Sequence, residues 1–257
     1  MADASDKFLT ATVTSRRDLS DDLWVIRVDP GGPFPFKAGQ YATLGVAAST
    51  RLIERAYSIV SSPYEPELEF FIELVHEGEL TPPLYRLNVG DTLSLRKSAK
   101  GRFMNEAAAD PADHLFLCTV TGVAPLLSLV RTLSRDWSEG GFKGDHRLFV
   151  IQGASRSSEF GYRDEIERFA GDLPWLTYVP TVSRPWDDPD WQGETGRVDD
   201  VIRKYADQWG LKPDRAFAHL CGHPSMIEHG KAILGRAGWP KNRLKEESYF
   251  ILKPAAE

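Results

Sequence analysis

The chain changes its hydrophobic rhythm near residue 110, and this change limits the possible folds more than any other feature. Before it, short strand-like runs such as LWVIRVDP and QYATLGVA are separated by turn signals such as DPGGP. Many short strands at this spacing are typical of an antiparallel barrel or sandwich. After it, continuous apolar strands such as HLFLCTV and AFAHLCG alternate with amphipathic helices, which indicates a parallel sheet covered on both faces. We therefore predict an antiparallel β-barrel over residues 1–108 and a doubly wound α/β domain over residues 109–257.

Composition and charge exclude several classes of protein. No apolar run approaches membrane-spanning length, and the N-terminus lacks the basic and apolar regions of a secretory signal. Two cysteines, Cys118 and Cys221, can form neither a disulfide framework nor the four-thiolate ligand set of an iron–sulfur cluster, so we expect a cytoplasmic protein. A net charge of −6 argues against a dedicated nucleic-acid binder. A monomer is the default expectation.

Two connecting segments are also predicted. The run TPPLYRL favours a short helix, with Thr81 as N-cap and Pro82 at the first helical position. The run NEAAADPAD, Asn105 to Asp113, is typical of a linker.

The first strand-to-helix turn of the second domain, TVTGVAP, is a candidate phosphate site. Gly122 permits a close backbone approach, and the free N–H groups at the start of the next helix attract anions. An ordinary tight turn explains this stretch equally well.

A second turn, CGHPSM, follows another strand of the same domain. Gly222 again permits close approach, and Cys221 either lies at the mouth of the ligand crevice or is a small buried apolar residue. His219 and His223 flank Cys221, but no second cluster of ligands accompanies them, so we predict no metal.

Three arginines follow strand ends in the second domain: Arg156, Arg184 and Arg197. Each alone is a typical surface charge. Together they can bind one phosphate monoester through bidentate forks, and the 2′-phosphate of NADPH is such an anion. Ser155, Ser183 and Tyr162 would add hydroxyl donors or a stacking face.

The barrel carries the run RAYSIVSS. Strand alternation would place Arg55, Tyr57 and Ile59 on one face, where a cation and a flat ring suit a pyrophosphate and a heterocycle. The run HEGELTPPL adds Gly78 and Thr81 before the short helix, which offers a further phosphate site. Plain barrel packing of Tyr57 and a surface salt bridge at Arg55 are the alternatives.

Seven motifs, taken together and in their order along the chain, resemble the bacterial ferredoxin–NADP(H) reductase family. They are RAYS, GELT, TVTGVAP, TVSR, TGR, CGHPSM and the terminal SYF. The resemblance covers nearly the whole chain and implies an FAD-binding barrel followed by an NADP(H)-binding domain. Val120 stands where the family often has glycine, and the chain continues past the aromatic pair as ILKPAAE, so either Phe250 or the tail near Pro254 and Ala255 would shield the flavin.

The resemblance also implies residue roles. Ser58, Cys221 and Tyr57 would be catalytic. The implied FAD-binding residues are Arg55, Ala56, Tyr57, Ser58, Phe71, Ile72, Glu73, Glu79, Leu80, Thr81, Thr121, Tyr249 and Phe250. The implied NADP-binding residues are Thr121, Gly122, Ser155, Arg156, Arg184, Arg197, Cys221, Gly222, Pro224 and Met226.

The implied reaction couples NADPH, a two-electron donor, to a one-electron carrier, either ferredoxin or flavodoxin. Since such carriers are acidic, a basic surface on the barrel would dock them. Its candidate residues, which otherwise only keep the barrel soluble, are Arg51, Arg86, Lys97, Lys100 and Arg102. The alternatives are the reductase component of an oxygenase, a free flavin or ferric reductase, and a non-catalytic flavin redox sensor.

Overall fold

The computed structural model describes residues 7–48, 51–109 and 112–249. The chain divides into two compact units: Met1–Met104 with Ala124–Thr132 form the first, and Asn105–Val123 with Leu133–Glu257 form the second. Within the described ranges, no helix is long and apolar enough to cross a bilayer.

The first unit contains a six-stranded antiparallel sheet in the order β4-β3-β6-β1-β2-β5. The backbone just beyond β4 closes this sheet, because the Val60 N–H donates to the Glu69 carbonyl of β5 at 2.8 Å. Trp24, Leu44 and Phe70 are fully buried at its centre. The predicted antiparallel barrel is confirmed. Its strands are β1 (Phe8–Asp18), β2 (Leu23–Asp29), β3 (Tyr41–Ala48), β4 (Arg51–Ser58), β5 (Leu68–Glu73) and β6 (Thr92–Arg96).

Both predicted connecting segments need correction. Helix α1 (Thr81–Tyr85) has Leu80, not Thr81, as its N-cap. The Thr81 hydroxyl accepts from the Val75 N–H at 3.0 Å and donates to the Val75 carbonyl at 2.9 Å, so it closes the preceding turn instead of capping the helix. The predicted linker begins as helix α2 (Asn105–Ala109), where three successive alanines favour helix.

The second unit contains a six-stranded parallel sheet in the order β10-β9-β8-β7-β11-β12. The chain starts at β7, moves outward through β8 to β10, and then returns to the other side of β7. The strand order therefore reverses between β7 and β11. Its strands are β7 (Asp113–Thr119), β8 (Arg147–Ala154), β9 (Leu176–Val182), β10 (Glu194–Thr195), β11 (Ala216–Gly222) and β12 (Leu244–Ser248).

Helices cover this sheet, which confirms the predicted α/β class. Every residue of β11 is buried, as its continuous apolar run predicts. Ile202 and Ile227 pack from two helices onto Leu117, Ile151 and Leu220 of the strands. The helices of this unit are α4 (Arg163–Asp172), α5 (Val198–Gln208) and α6 (Pro224–Arg236), while α3 (Ala124–Ser138) spans the division between the two units.

Candidate functional site

Two glycine-containing turns meet where the strand order of the parallel sheet reverses. Gly122 follows β7, and a Cβ at this position would overlap the carbonyl oxygen of Cys221. Gly222 ends β11 with a φ of +127°, and its Cβ would overlap the Thr119 hydroxyl. Only glycine fits at either position. Ligands of open α/β sheets bind at such a switch point, outside the carboxyl ends of the strands.

Val120, in the same turn, has a φ of +45°, in the left-handed region that disfavours side chains. For a β-branched residue this conformation costs about 1–2 kcal/mol. The valine packs against a small cluster of Ala154, Phe160 and Val182, and its carbonyl accepts from Gln152 Nε2 at 3.2 Å. Packing thus holds a valine in the conformation that a glycine adopts without strain.

Cys221 and Tyr249 lie beside this turn. Burial raises the pKa of the Cys221 thiol well above its usual value, so the group stays protonated at neutral pH. The Tyr249 hydroxyl donates to the Thr121 carbonyl at 3.0 Å, and its side chain is partly exposed. The structure therefore brings Thr121, Cys221 and Tyr249 together. Phe250, Pro254 and Ala255 lie outside the described residues.

The three candidate arginines follow three neighbouring strands of this sheet. Arg156 comes after β8, Arg184 after β9 and Arg197 after β10. Because parallel strands lie about 4.8 Å apart, these strand ends fall within about 10 Å of one another. The loops after β8 and β9 are joined directly, since the Arg184 N–H donates to the Ser155 carbonyl at 3.1 Å.

The arginines differ in their electrostatic partners. Arg156 forms an ion pair with Asp187 at 3.0 Å. Arg184 and Arg197 are exposed and form no ion pair with any residue that the structure describes. Two of the three guanidinium groups are therefore open to an external anion.

Some of the candidate site residues are buried. Tyr162 is 5% exposed, so its ring offers no stacking face. Met226 is equally buried and packs in the core of the second unit, and Pro224 is buried at the start of α6.

One residue that the sequence reasoning missed is Trp186, which is 75% exposed. It lies in the short 3₁₀ turn Pro185–Asp187, directly after Arg184. An aromatic residue two positions beyond a strand-end arginine was the signal in the sequence. A single exposed aromatic side chain is ordinary on a protein surface, but a ring beside a candidate phosphate-binding arginine suits stacking on a nucleobase.

In the barrel, β4 presents Arg55 and Tyr57. Arg55 is exposed and pairs with Glu79 at 3.0 Å, and Arg51 pairs with the same carboxylate. Tyr57 is half-buried against the barrel core, and this burial raises the pKa of its hydroxyl. The strand ends at the buried Ser58, so Ile59 lies beyond the predicted alternation.

The turn before α1 fits a phosphate group. Gly78 is closely enclosed, because a Cβ there would lie 2.9 Å from the Val75 carbonyl oxygen. The N–H groups of Glu79, Leu80 and Thr81 donate to no acceptor within the described part of the chain. Since a pyrophosphate needs both donors and a cation, these groups and the exposed Arg55 suit one another. Of the remaining candidates, Phe71 and Ile72 on β5 are buried, and Ala56 and Glu73 are exposed.

Comparison with known proteins agrees with this architecture. Residues 10–104 match the oxidoreductase FAD-binding domain, and residues 116–231 match the oxidoreductase NAD-binding domain. The chain is 31% identical to a ferredoxin–NADP reductase of Pseudomonas aeruginosa, with 96% of each chain covered. It is 30% identical to the reductase component of a phenol 2-monooxygenase from a Pseudomonas species, covering 93% of this chain and 63% of that longer protein.

A solved structure shows the same fold. The ferredoxin–NADP reductase of Neisseria gonorrhoeae, with bound FAD and NADP, superposes with a TM-score of 0.82 at 24% identity, covering 95% of this chain and 99% of that one. The protein is therefore an oxidoreductase with an FAD-binding barrel and a pyridine-nucleotide-binding α/β domain. It belongs to the ferredoxin–NADP reductase family.

Proposed function

We propose that the chain oxidises NADPH and passes the electrons singly to ferredoxin or flavodoxin. The observation that carries the choice of NADPH is the set of three arginines after three adjacent strands, two of them without a protein carboxylate partner. Arginine forks without a carboxylate partner suit a phosphate monoester, which they can bind bidentately.

The second unit would hold the nucleotide. Arg184 and Arg197 bind the 2′-phosphate, and the exposed ring of Trp186 stacks on the adenine. Gly122 and Gly222 allow the backbone to approach the nicotinamide half at the switch point. Cys221 stays a neutral thiol there, so it fills space without adding charge.

The first unit would hold the flavin. Arg55 neutralises the pyrophosphate, which accepts hydrogen bonds from the backbone N–H groups of Glu79 to Thr81. Tyr57 lies against the flavin ring, and Ser58 provides a hydroxyl near the ring nitrogens. When bound, FAD supplies the ability to accept an electron pair and release electrons one at a time.

The proposed carrier is acidic and docks on the barrel. Arg86, Lys100 and Arg102 are exposed, whereas Arg51 is paired with Glu79 and contributes less net charge. We propose a cytoplasmic location, because Cys118 and Cys221 are both free, buried thiols, and we keep a monomer as the default expectation.

The direct test is NADPH-driven reduction of ferredoxins and flavodoxins from the same cell. The purified protein should be yellow and should bleach anaerobically with NADPH. Carrier reduction should slow as salt rises, since exposed charges are screened over about 8–10 Å at 0.1–0.15 M salt. A yellow protein that NADPH does not bleach would refute the proposal and favour a redox sensor.

A second candidate is the reductase component of an oxygenase. The similarity to the phenol 2-monooxygenase reductase favours it. Prompt reduction by NADPH without electron transfer to any ferredoxin or flavodoxin would select this candidate.

A further inference from the structure

We propose that Asp187 sets the nucleotide specificity of the arginine cluster, by opposing the 2′-phosphate of NADPH and favouring the 2′-hydroxyl of NADH. This inference rests on the proposed nucleotide site. It makes the chain less selective for NADPH than three strand-end arginines alone would be.

Asp187 occupies the guanidinium group of Arg156. Its Oδ2 atom lies 3.0 Å from Arg156 Nη2, and Glu159 approaches the other terminal nitrogen at 3.9 Å. Arg156 is thus already neutralised by protein carboxylates, whereas Arg184 and Arg197 have no such partner in the described ranges.

The carboxylate is held at this place by the fold. Asp187 ends the 3₁₀ turn after β9, and its N–H donates to the Arg184 carbonyl at 3.0 Å. The turn thereby holds the backbone of Asp187 against that of Arg184 on its own loop, while its carboxylate pairs with Arg156 on the neighbouring loop.

Joining the two loops does not require Asp187. Asp188 accepts from the Ser157 N–H at 2.6 Å, and the Arg184 N–H bonds to the Ser155 carbonyl. The side chains of Arg156 and Asp187 are 45% and 36% exposed, and ion pairs this exposed add little to stability. Asp187 can therefore be neutralised without loss of the local fold.

The carboxylate of Asp187 should have opposite effects on the binding of NADPH and of NADH. A phosphate monoester must displace the carboxylate from Arg156 or remain near its negative charge. A ribose 2′-hydroxyl can instead donate a hydrogen bond to the same carboxylate, which is how acidic residues in nucleotide-binding sheets recognise NAD.

The experiment compares two ligands that differ only at this position, adenosine 2′,5′-bisphosphate and 5′-AMP. Their dissociation constants are measured by calorimetry on the FAD-loaded protein. For Asp187→Asn we expect roughly 5- to 10-fold tighter binding of the bisphosphate, since the substitution removes one negative charge close to the phosphate. AMP binding should weaken or stay within about twofold.

Asp190→Asn is the matched control. Asp190 is an exposed carboxylate on the same loop with no ion pair among the described residues, and its replacement changes the net charge equally. It should alter the affinity for either ligand by less than about twofold, because solvent and salt screen it.

Failure of this inference differs from failure of the proposed site. Unchanged or weaker bisphosphate binding by Asp187→Asn, while Arg184→Ala still weakens it, would overturn the role of Asp187 alone. An equal gain in bisphosphate affinity in Asp187→Asn and Asp190→Asn would also overturn the role of Asp187, because it would show that only the net charge of the protein matters. Wild-type protein that binds the two ligands equally, with no effect of Arg184→Ala, would overturn the proposed phosphate site itself.

Discussion

Arg55 and Arg156, both proposed to meet phosphate groups, are each held by a carboxylate of the same unit. Glu79 pairs with Arg55 at 3.0 Å, and Asp187 pairs with Arg156 at 3.0 Å. Such exposed pairs stabilise the fold little, so either carboxylate can leave its arginine without loss of the fold, but while it stays it competes with a phosphate for the guanidinium group. At the scale of single residues, each site therefore combines a rigid backbone with an exchangeable ion pair.

Trp186 is the residue whose removal should affect all adenine nucleotides alike. Trp186→Ala should weaken binding of adenosine 2′,5′-bisphosphate and of 5′-AMP by the same factor, roughly 5- to 150-fold, because stacking on an aromatic ring contributes about 1–3 kcal/mol per base. Calorimetry on both ligands measures this factor. Trp186→Phe keeps a ring and should recover most of the affinity, whereas a loss confined to the bisphosphate would contradict stacking.

Sequence patterns predicted the glycine turns because their backbone requirements are local. Gly122 and Gly222 could be recognised from the strand-to-helix transitions around them. The partner of Arg156 could not be recognised, since Asp187 lies 31 residues further along and meets it only through the pairing of β8 with β9. The outward exposure of Trp186 likewise depends on a turn that no periodicity predicts.

At the scale of elements, the strands and helices that the sequence failed to predict are those too short to show a hydrophobic period. Long runs such as β8 and β11 were predicted because every residue of β11, and every residue of β8 after the exposed Arg147, is buried. The two-residue strand β10 has no periodicity to detect. The five-residue helix α2 was predicted as a linker, because DPA follows its alanines directly.

The initial turns of helix α3 belong to the first unit and bond to other residues of that unit. Ser128 Oγ donates to the Ser61 carbonyl at 2.8 Å, and Arg131 pairs with Glu69 at 3.2 Å. The side chains of Arg131 and Glu69 are 14% and 7% exposed, so this ion pair is shielded from solvent. One turn further on, Arg135 pairs with Glu139, and both side chains are at least half exposed.

Arg131→Met should therefore destabilise the protein more than Arg135→Met does. We expect a loss of about 1–2 kcal/mol for Arg131→Met, since a nearly buried carboxylate loses one of its cations while Arg27 remains bound to it. Arg135→Met should cost less than about 0.5 kcal/mol, the usual value of an exposed helical pair. Urea unfolding at a fixed FAD concentration, followed by circular dichroism, compares the two, and equal midpoints would contradict the argument.

At the scale of the whole molecule, the two units have separate cores. One is centred on Trp24 and Phe70 in the barrel, and the other on Ile151 and Ile202 in the parallel sheet. The two matched domains, residues 10–104 and 116–231, follow this division except at Ala124–Thr132, which lie in the second match but in the first unit. Since each proposed cofactor site is made of residues of one unit, we expect damage to one site to leave binding at the other intact.

Arg55→Ala and Arg184→Ala test this separation. Arg55→Ala should lower the ratio of FAD to protein after purification, because a hydrogen bond from an arginine to a phosphate contributes about 1.5–3 kcal/mol. The affinity of this variant for adenosine 2′,5′-bisphosphate should stay within about twofold of the wild-type value. Arg184→Ala should weaken the binding of adenosine 2′,5′-bisphosphate and leave the ratio of FAD to protein unchanged. Absorbance gives the FAD content, calorimetry gives the nucleotide affinity, and Arg17→Ala, an exposed arginine on β1, controls for loss of charge on the barrel. Joint loss of both cofactors in either variant would mean that the substitution acts through unfolding or that the sites are coupled, and the division into two independent binding units would then be wrong.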